Sequence, residues 1–474
     1  MNNKVFYRPE GAFVGDVIPF EENGQVYLYF LFEDRKIPKS GMPWSLVTTK
    51  DYVHLEEHGV ALPSGGPDAK DFNCYTGSVL VDDQGTHHLF YTGNNPKTTD
   101  ETGRSIQLVM HATSDDGMKT WTRHDELSFG PSEDYEGYDW RDPFVFKDEE
   151  KGIWRMLFAA RNNSGPERRR GVTAQYISDD LYSWKQAKPF WDPKRFVAME
   201  CPEVFHWGDW WYFIYSEFTD AFTTKYRMAK TLDGPWIAPD KDTIDGRAFY
   251  AAKSTFLNGK RFFTGWIATK KGTNDDGEWQ WAGTMSTLEA VQNEDGSLAF
   301  RFPETLTQSF KKTVPVTIDK KTLNAPDGYA CAVSDKILPG QVYIKATINI
   351  KPGTHECGLL LRSSNDGDSS YVIRLEPHRS RMVFDRWPRK MTGGEQWQIS
   401  GDVPYYVELE RPCDLPAGKH TLEVITEDSI AVIVLDGQVA LSTRIYDKAA
   451  GRIGYFVSDG AIELSSLEVN QLEI

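Results

Sequence analysis

The chain has 474 residues, of which 40% are hydrophobic and 13% aromatic, and a formal net charge of −16. That length exceeds a single ordinary core and sets two domains as the expectation. The acidic balance argues against a nucleic-acid partner or an anionic membrane surface, both of which select basic faces.

In chain order, residues 15–20 read as a short strand and residues 26–32 as a longer, aromatic-rich one. The pair then recurs. The short segment returns at 77–81, 141–146, 200–205 and 251–256. Its aromatic partner returns at 88–92, 154–158, 211–215 and 261–266. A third apolar stretch follows each pair, at 45–51, 109–116, 173–180, 226–236 and, more weakly, 281–287. Asp-Gly, Asn-Gly and Gly-Asp turns separate the segments, as in antiparallel hairpins. The repeats start at 16, 78, 142, 200 and about 252, a period of roughly 50 to 65 residues. Radial repetition of small sheets on that scale predicts a five-bladed β-propeller over residues 1–308. A large sandwich would explain strands, but not three elements recurring in one order.

Residues 309–325 are poor in aromatics, carry Lys311, Lys312, Lys320 and Lys321, and read as a linker. Over residues 326–474 the texture becomes alternating strands, at 342–350, 358–362, 371–375, 420–425 and 430–435, with an Asp436-Gly437 turn. That spacing fits a β-sandwich. The fold class expected is therefore all-β, a five-bladed β-propeller followed by a C-terminal β-sandwich.

The five cysteines (74, 201, 331, 357 and 413) lack metal-ligand spacing and form no disulfide framework, which favours a reducing compartment. The N-terminus has no apolar run of a signal peptide, and no stretch nears the roughly 20 apolar residues of a membrane span. A cytoplasmic protein is expected, with no nucleic-acid or membrane partner; homo-oligomerisation stays open.

In three repeats a carboxylate opens the first segment: Asp16, Asp142 and Glu200. If that segment is the innermost strand of its blade, the three converge on one mouth. Crowded, buried carboxylates cannot all ionise normally; one is pushed up to act as an acid while another stays charged. Glycoside hydrolysis uses such a split pair. Each residue has a structural alternative. Asp16 follows a glycine and suits a turn, Asp142 lies between Arg141 and Pro143 and suits an ion pair, and Glu200 precedes Cys201-Pro202 and suits a loop cap. Recurrence in three repeats favours function.

Trp140-Arg141-Asp142-Pro143 resembles the Arg-Asp-Pro motif of glycoside hydrolase family 32, the β-fructosidases. Met199-Glu200-Cys201-Pro202 resembles its Glu-Cys-Pro motif, and Tyr75-Thr76-Gly77-Ser78 its Phe-Ser-Gly-Ser motif. Phe249-Tyr250-Ala251-Ala252 and Trp281-Ala282-Gly283 resemble later signatures. The resemblance covers nearly the whole chain, because the family pairs a five-bladed propeller with a β-sandwich. It implies a retaining double displacement on a small carbohydrate substrate, with no metal or cofactor. Asp16 would be the nucleophile, Glu200 the acid/base and Asp142 the transition-state stabiliser. Arg141 would orient Glu200 or the sugar. Retention implies carboxylates about 5 Å apart.

The first motif departs from the family. Phe13-Val14-Gly15-Asp16-Val17-Ile18-Pro19 stands where the family has Trp-Met-Asn-Asp-Pro-Asn-Gly. The aspartate remains, while the tryptophan and both asparagines are gone. That points away from ordinary sucrose cleavage and toward an unusual, short or cyclic, fructoside. Other substrate-binding candidates are Trp44, Tyr75, Ser78, Trp140, Lys253 and Trp266. An aromatic face suits a sugar's C–H face, but each tryptophan suits a core equally, and Lys253 suits a surface equally. Arg168-Arg169-Arg170 reads as a solvated hairpin tip rather than a phosphate site. Cys201 reads as packing, with no base beside it. The alternatives are a pentofuranosidase (α-L-arabinofuranosidase or β-xylosidase) of a related propeller family and a non-catalytic sugar-binding protein.

Overall fold

The computed structural model describes residues 4–388 and 408–473. The chain divides into two compact units. One comprises Tyr7–Trp266 with Ala282–Ser297, and the other Met1–Phe6, Ile267–Trp281 and Leu298–Ile474.

The first unit is built from antiparallel meanders. Blade one holds β1 (Phe13–Glu22), β2 (Gln25–Glu33), β3 (Trp44–Thr49) and β4 (Glu56–Leu62). Blade two holds β5 (Asn73–Val81), β6 (His87–Thr99), β7 (Ser105–Ser114) and β8 (Thr122–Arg123). Blade three holds β9 (Tyr135–Asp148), β10 (Ile153–Asn162), β11 (Gly171–Ser178) and β12 (Lys185–Gln186). Blade four holds β13 (Glu200–Trp207), β14 (Trp210–Glu217) and β15 (Thr223–Ala229), with bridges Met228–Ile237 and Lys225–Thr243 at its outer edge. The fifth meander is β16 (Phe249–Leu257), β17 (Lys260–Lys270) and β18 (Trp279–Gln292).

Local sequence explains the hairpins. Asn23-Gly24 joins β1 to β2, and Asn258-Gly259 joins β16 to β17, each with both residues at positive φ. Two left-handed residues in succession match the right-handed twist of the flanking strands, which is why Asn-Gly is favoured there. The first strands β1, β5, β9, β13 and β16 each lie against the next, and β16 lies against β1, so the ring closes as a five-bladed propeller. The Met285 amide donates to the Tyr7 carbonyl, tying the start of the chain to the last blade. Aromatic-rich clusters fill the spaces between blades, one around Trp44, Tyr29 and Tyr91, another around Trp140, Phe158 and Tyr176.

The second unit is organised by the long strand Arg452–Gln471. Its first half pairs with Glu356–Ser363, which continues through Ser370–Glu376 and Arg381–Trp387 to Leu409–Pro412. Its second half pairs with Val342–Ile350, which continues through Gly418–Glu427 and Ile430–Leu435 to Val439–Arg444. The strand thereby serves both sheets of the sandwich. Residues 309–325, expected as a linker, supply Lys312–Thr313 and the start of Thr322–Val333 to the same strand. Backbone pairing does not need aromatic side chains, so composition had hidden it.

Candidate active site

One irregularity recurs in the innermost strands. Register slips between Val14 and Val17 in β1, Tyr75 and Gly77 in β5, Arg141 and Phe144 in β9, and Glu200 and Glu203 in β13. A bulge re-aims side chains at a strand end and locally breaks pairing. In three blades a left-handed residue marks the place: Asp142 (φ 60°), Cys201 (φ 51°) and Ala251 (φ 54°). Non-glycine residues adopt that conformation only when their surroundings impose it. The repeat is thus aligned more finely than sequence allowed. Asp16 and Asp142 lie within the bulges, and Glu200 lies one position earlier, level with Arg141 and Tyr250.

These two levels form two hydrogen-bonded groups. In the first, Asp16 is held on both oxygens: the Thr76 hydroxyl donates to Oδ2 at 2.6 Å and the Trp266 indole N–H to Oδ1 at 2.9 Å. The Cys201 thiol approaches Oδ2 at 3.7 Å. The Cys201 amide donates to Asp142 Oδ2 at 2.9 Å, and the Asp142 amide donates to Thr92 Oγ1 at 2.9 Å. In the second, Arg141 Nη2 donates to Glu200 Oε1 at 3.0 Å and the Tyr250 hydroxyl to Glu200 Oε2 at 2.7 Å. Arg141 also pairs with Asp139.

Burial sets the electrostatics. It pushes the Asp16 carboxyl up from its ordinary range, against the pull of Thr76, and the nearby Glu200 adds to the rise. Asp142 is also raised by burial, with Arg141 opposing. Glu200 is raised by burial, Arg141 pulls it back, and Asp142 raises it further. Burial works against the Arg141 charge too, yet Glu200, Asp139 and Asp142 outweigh it and hold the guanidinium protonated. The Glu200 side chain is 24% exposed and Asp16 is also partly exposed, so both carboxyls are open to a substrate, while Asp142 is buried. Such an arrangement has the parts for proton transfer at one accessible carboxyl and for nucleophilic attack by a second carboxylate fixed by neutral donors.

The other sequence candidates divide. Lys253 is 2% exposed, not a surface residue, and donates to the Gly77 carbonyl at 2.8 Å. Its charge stabilises ionised Asp16 and Asp142. Gly77 must be glycine, because a Cβ there would lie 1.9 Å from the Phe90 carbonyl oxygen. Trp266 is 0% exposed, so it orients Asp16 through its N–H instead of offering a face to sugar. Trp44 and Trp140 are corrections: both are 0% exposed. The Trp44 N–H is spent on the Cys74 and Tyr75 carbonyls, and the Trp140 ring stacks on Phe158 at 4.3 Å. Large apolar rings gained more from filling the blade than the mouth could offer. Ser78 is a correction as well. It donates to the Pro143 carbonyl at 2.9 Å and accepts from the Val145 amide at 3.0 Å, stapling β5 to β9. Tyr75 remains half-buried beside the bulge.

Thr76 and Tyr250, within Tyr75–Ser78 and Phe249–Ala252, join the site without having been expected there. A register kept to the single residue would have shown Tyr250 level with Arg141 and Glu200. Nothing local in the sequence distinguishes Thr76.

Known proteins resemble this chain over nearly all of its length. The family profile described as "Glycosyl hydrolases family 32 N-terminal domain" matches residues 15–301, and "Glycosyl hydrolases family 32 C terminal" matches residues 304–471. The sucrose-6-phosphate hydrolase of Escherichia coli is 24% identical over 453 residues, covering 89% of this chain and 84% of the relative. The levanbiose-producing levanase of Bacillus subtilis strain 168 is 22% identical over 465 residues, covering 92% and 83%. Among solved structures, exo-inulinase from Aspergillus awamori superposes with a TM-score of 0.75 at 18% identity, covering 99% of this chain and 97% of that one.

Proposed function

Because the chain belongs to glycosyl hydrolase family 32, we propose that it is a retaining β-fructofuranosidase that releases fructose from small fructosides by double displacement. The observation that carries this reading is the pair of carboxyls in unlike settings. Asp16 is clamped by two neutral donors, Thr76 and Trp266, and Glu200 is held between the Arg141 guanidinium and the Tyr250 hydroxyl.

In the first step Asp16 attacks the anomeric carbon of the fructosyl unit. The bond to the departing oxygen breaks, and the Glu200 proton passes to that oxygen. A fructosyl–Asp16 ester results. In the second step Glu200 takes a proton from water, the water oxygen attacks the same carbon, and the ester breaks to return Asp16 as a carboxylate. Net retention follows from two inversions. Burial shifts Glu200 toward the protonated form that the first step needs, and departure of that proton fits it as the base of the second. Asp142, fixed by the Cys201 amide, would accept hydrogen bonds from fructose hydroxyls and stabilise the oxocarbenium-like transition state. Relatives named for sucrose 6-phosphate and levan support a fructosyl substrate. The altered first motif supports a fructoside other than sucrose. Free thiols at Cys74, Cys201, Cys331 and Cys357 support a reducing, cytoplasmic setting.

The test is fructose release from sucrose, 1-kestose, inulobiose, levanbiose and a difructose dianhydride, with the anomer of the first product read by NMR. Release of β-fructose supports the reading. Silence across the panel would return the choice to a pentofuranoside substrate or a sugar-binding protein, and an inverted first product would rule out Asp16 as nucleophile.

A further inference from the structure

The sandwich unit contains a cavity of about 360 Å³ that the catalytic chemistry does not use. That volume lies in the range of small-ligand sites, about 300–1,000 Å³. Its walls come from Thr322–Val333, the loop around Gly367, Arg381–Trp387 and the long strand Arg452–Gln471. The floor is the apolar cluster around Leu360.

The lining combines two chemistries. Tyr329, Trp387 and Phe456 supply aromatic surface. Tyr329 is 58% exposed and its ring stacks on Phe456 at 5.8 Å, so a large ring is held at the opening without being covered. Around the rings stand Glu356, Asp368 and Arg374. Arg374 is fixed through Nε by Glu376 at 2.7 Å. Glu356 lies 3.8 Å from Arg374, an ion pair too long for a hydrogen bond, which leaves its oxygens available as acceptors. An exposed aromatic ring offers an apolar face, and the carboxylates beside it offer acceptors. A sugar ring matches both, with a C–H face for the aromatic ring and hydroxyls at its rim for the carboxylates. An anionic ligand is disfavoured by the three carboxylates of the lining, Glu356, Asp366 and Asp368, and by the net charge of −16.

We propose that this cavity is a second, non-catalytic carbohydrate site that holds a sugar unit of a fructan chain. The fructan identity rests on the function proposed above; the carbohydrate class rests on the cavity alone. A chain with both a catalytic and a holding site gains apparent affinity for long substrates and none for substrates too short to engage the second site.

The experiment uses the full-length protein in affinity electrophoresis through gels containing inulin, levan, arabinan or xylan. In parallel, KM is measured on a fructan polymer and on a disaccharide. Retardation by a fructan is expected. Tyr329→Ala should weaken it roughly five- to tenfold, the scale of one lost aromatic stacking contact, and raise KM for the polymer with kcat and disaccharide turnover unchanged. Trp387→Ala should do the same, and Tyr329 is exposed enough for its variant to fold whatever Trp387→Ala does. Retardation equal in wild type and Tyr329→Ala, or absent on all four glycans, overturns the site. Retardation only by arabinan or xylan, lost in Tyr329→Ala, overturns the fructan identity while the site stands. Failure of the catalytic reading alone shows as absent fructose release with Tyr329-dependent retardation intact.

Discussion

The propeller carries two neighbouring regions opposite in character. At the bulges, Asp16, Asp142, Arg141, Glu200 and Lys253 concentrate charge in a poorly hydrated place. Trp140 and Ser78 on the inner strands, and Trp44 on β3, turn into the blades and serve packing and backbone pairing. The first region is costly to bury and is tolerated because each charge has partners. The second provides the rigidity that keeps those partners in place. Changes in the first region should therefore alter rate and pH profile with the fold intact, and changes in the second should alter stability with the rate intact.

The largest expected effect is at Asp16. Asp16→Ala should lower fructose release by on the order of 10⁴-fold or more, with an unchanged circular-dichroism spectrum; a tenth of the activity surviving would remove it as nucleophile. Glu200→Gln should lower turnover of natural fructosides by about 10²–10⁴-fold yet spare a fructoside with an activated aryl leaving group. Equal losses on both substrates would sink the acid assignment.

Trp266→Phe and Thr76→Val each remove a donor to Asp16. We expect losses of roughly 10- to 100-fold, toward the low end of what a misplaced catalytic group costs. The direction in pH is fixed: both donors hold the Asp16 pKa down against burial. Without either one the pKa rises, and since Asp16 acts ionised, the acidic limb of kcat/KM must move to higher pH. Tyr250→Phe should be milder. Tyr250 lowers the Glu200 pKa by its hydrogen bond, so its loss moves the alkaline limb to higher pH, because Glu200 acts protonated. A limb moving downward in either variant would contradict the corresponding contact.

Ser78→Ala probes the other region. It strands the buried Pro143 carbonyl and Val145 amide, at a cost of about 1–3 kcal/mol, visible in denaturant unfolding. A kcat change beyond about twofold in that variant would mean the staple also tunes the mouth.

Much of this protein was legible from its residues. Short and aromatic segments alternating at a steady period determined blades, because a strand's burial pattern is written locally and a ring of such units repeats it. The motifs around Asp142 and Glu200 marked the mouth. The tertiary structure decided what the letters could not: which face each residue takes. Trp44, Trp140 and Trp266 are alike as residues and all fully buried, yet only Trp266 meets Asp16. Bulges in the inner strands and left-handed residues at Asp142, Cys201 and Ala251 likewise set which side chains reach the mouth. A one-residue slip reverses inside and outside on a strand, and such slips are imposed by neighbouring blades rather than by the strand's own sequence. The same holds for Lys253, whose buried amine is explained by a glycine carbonyl 176 positions away in the chain.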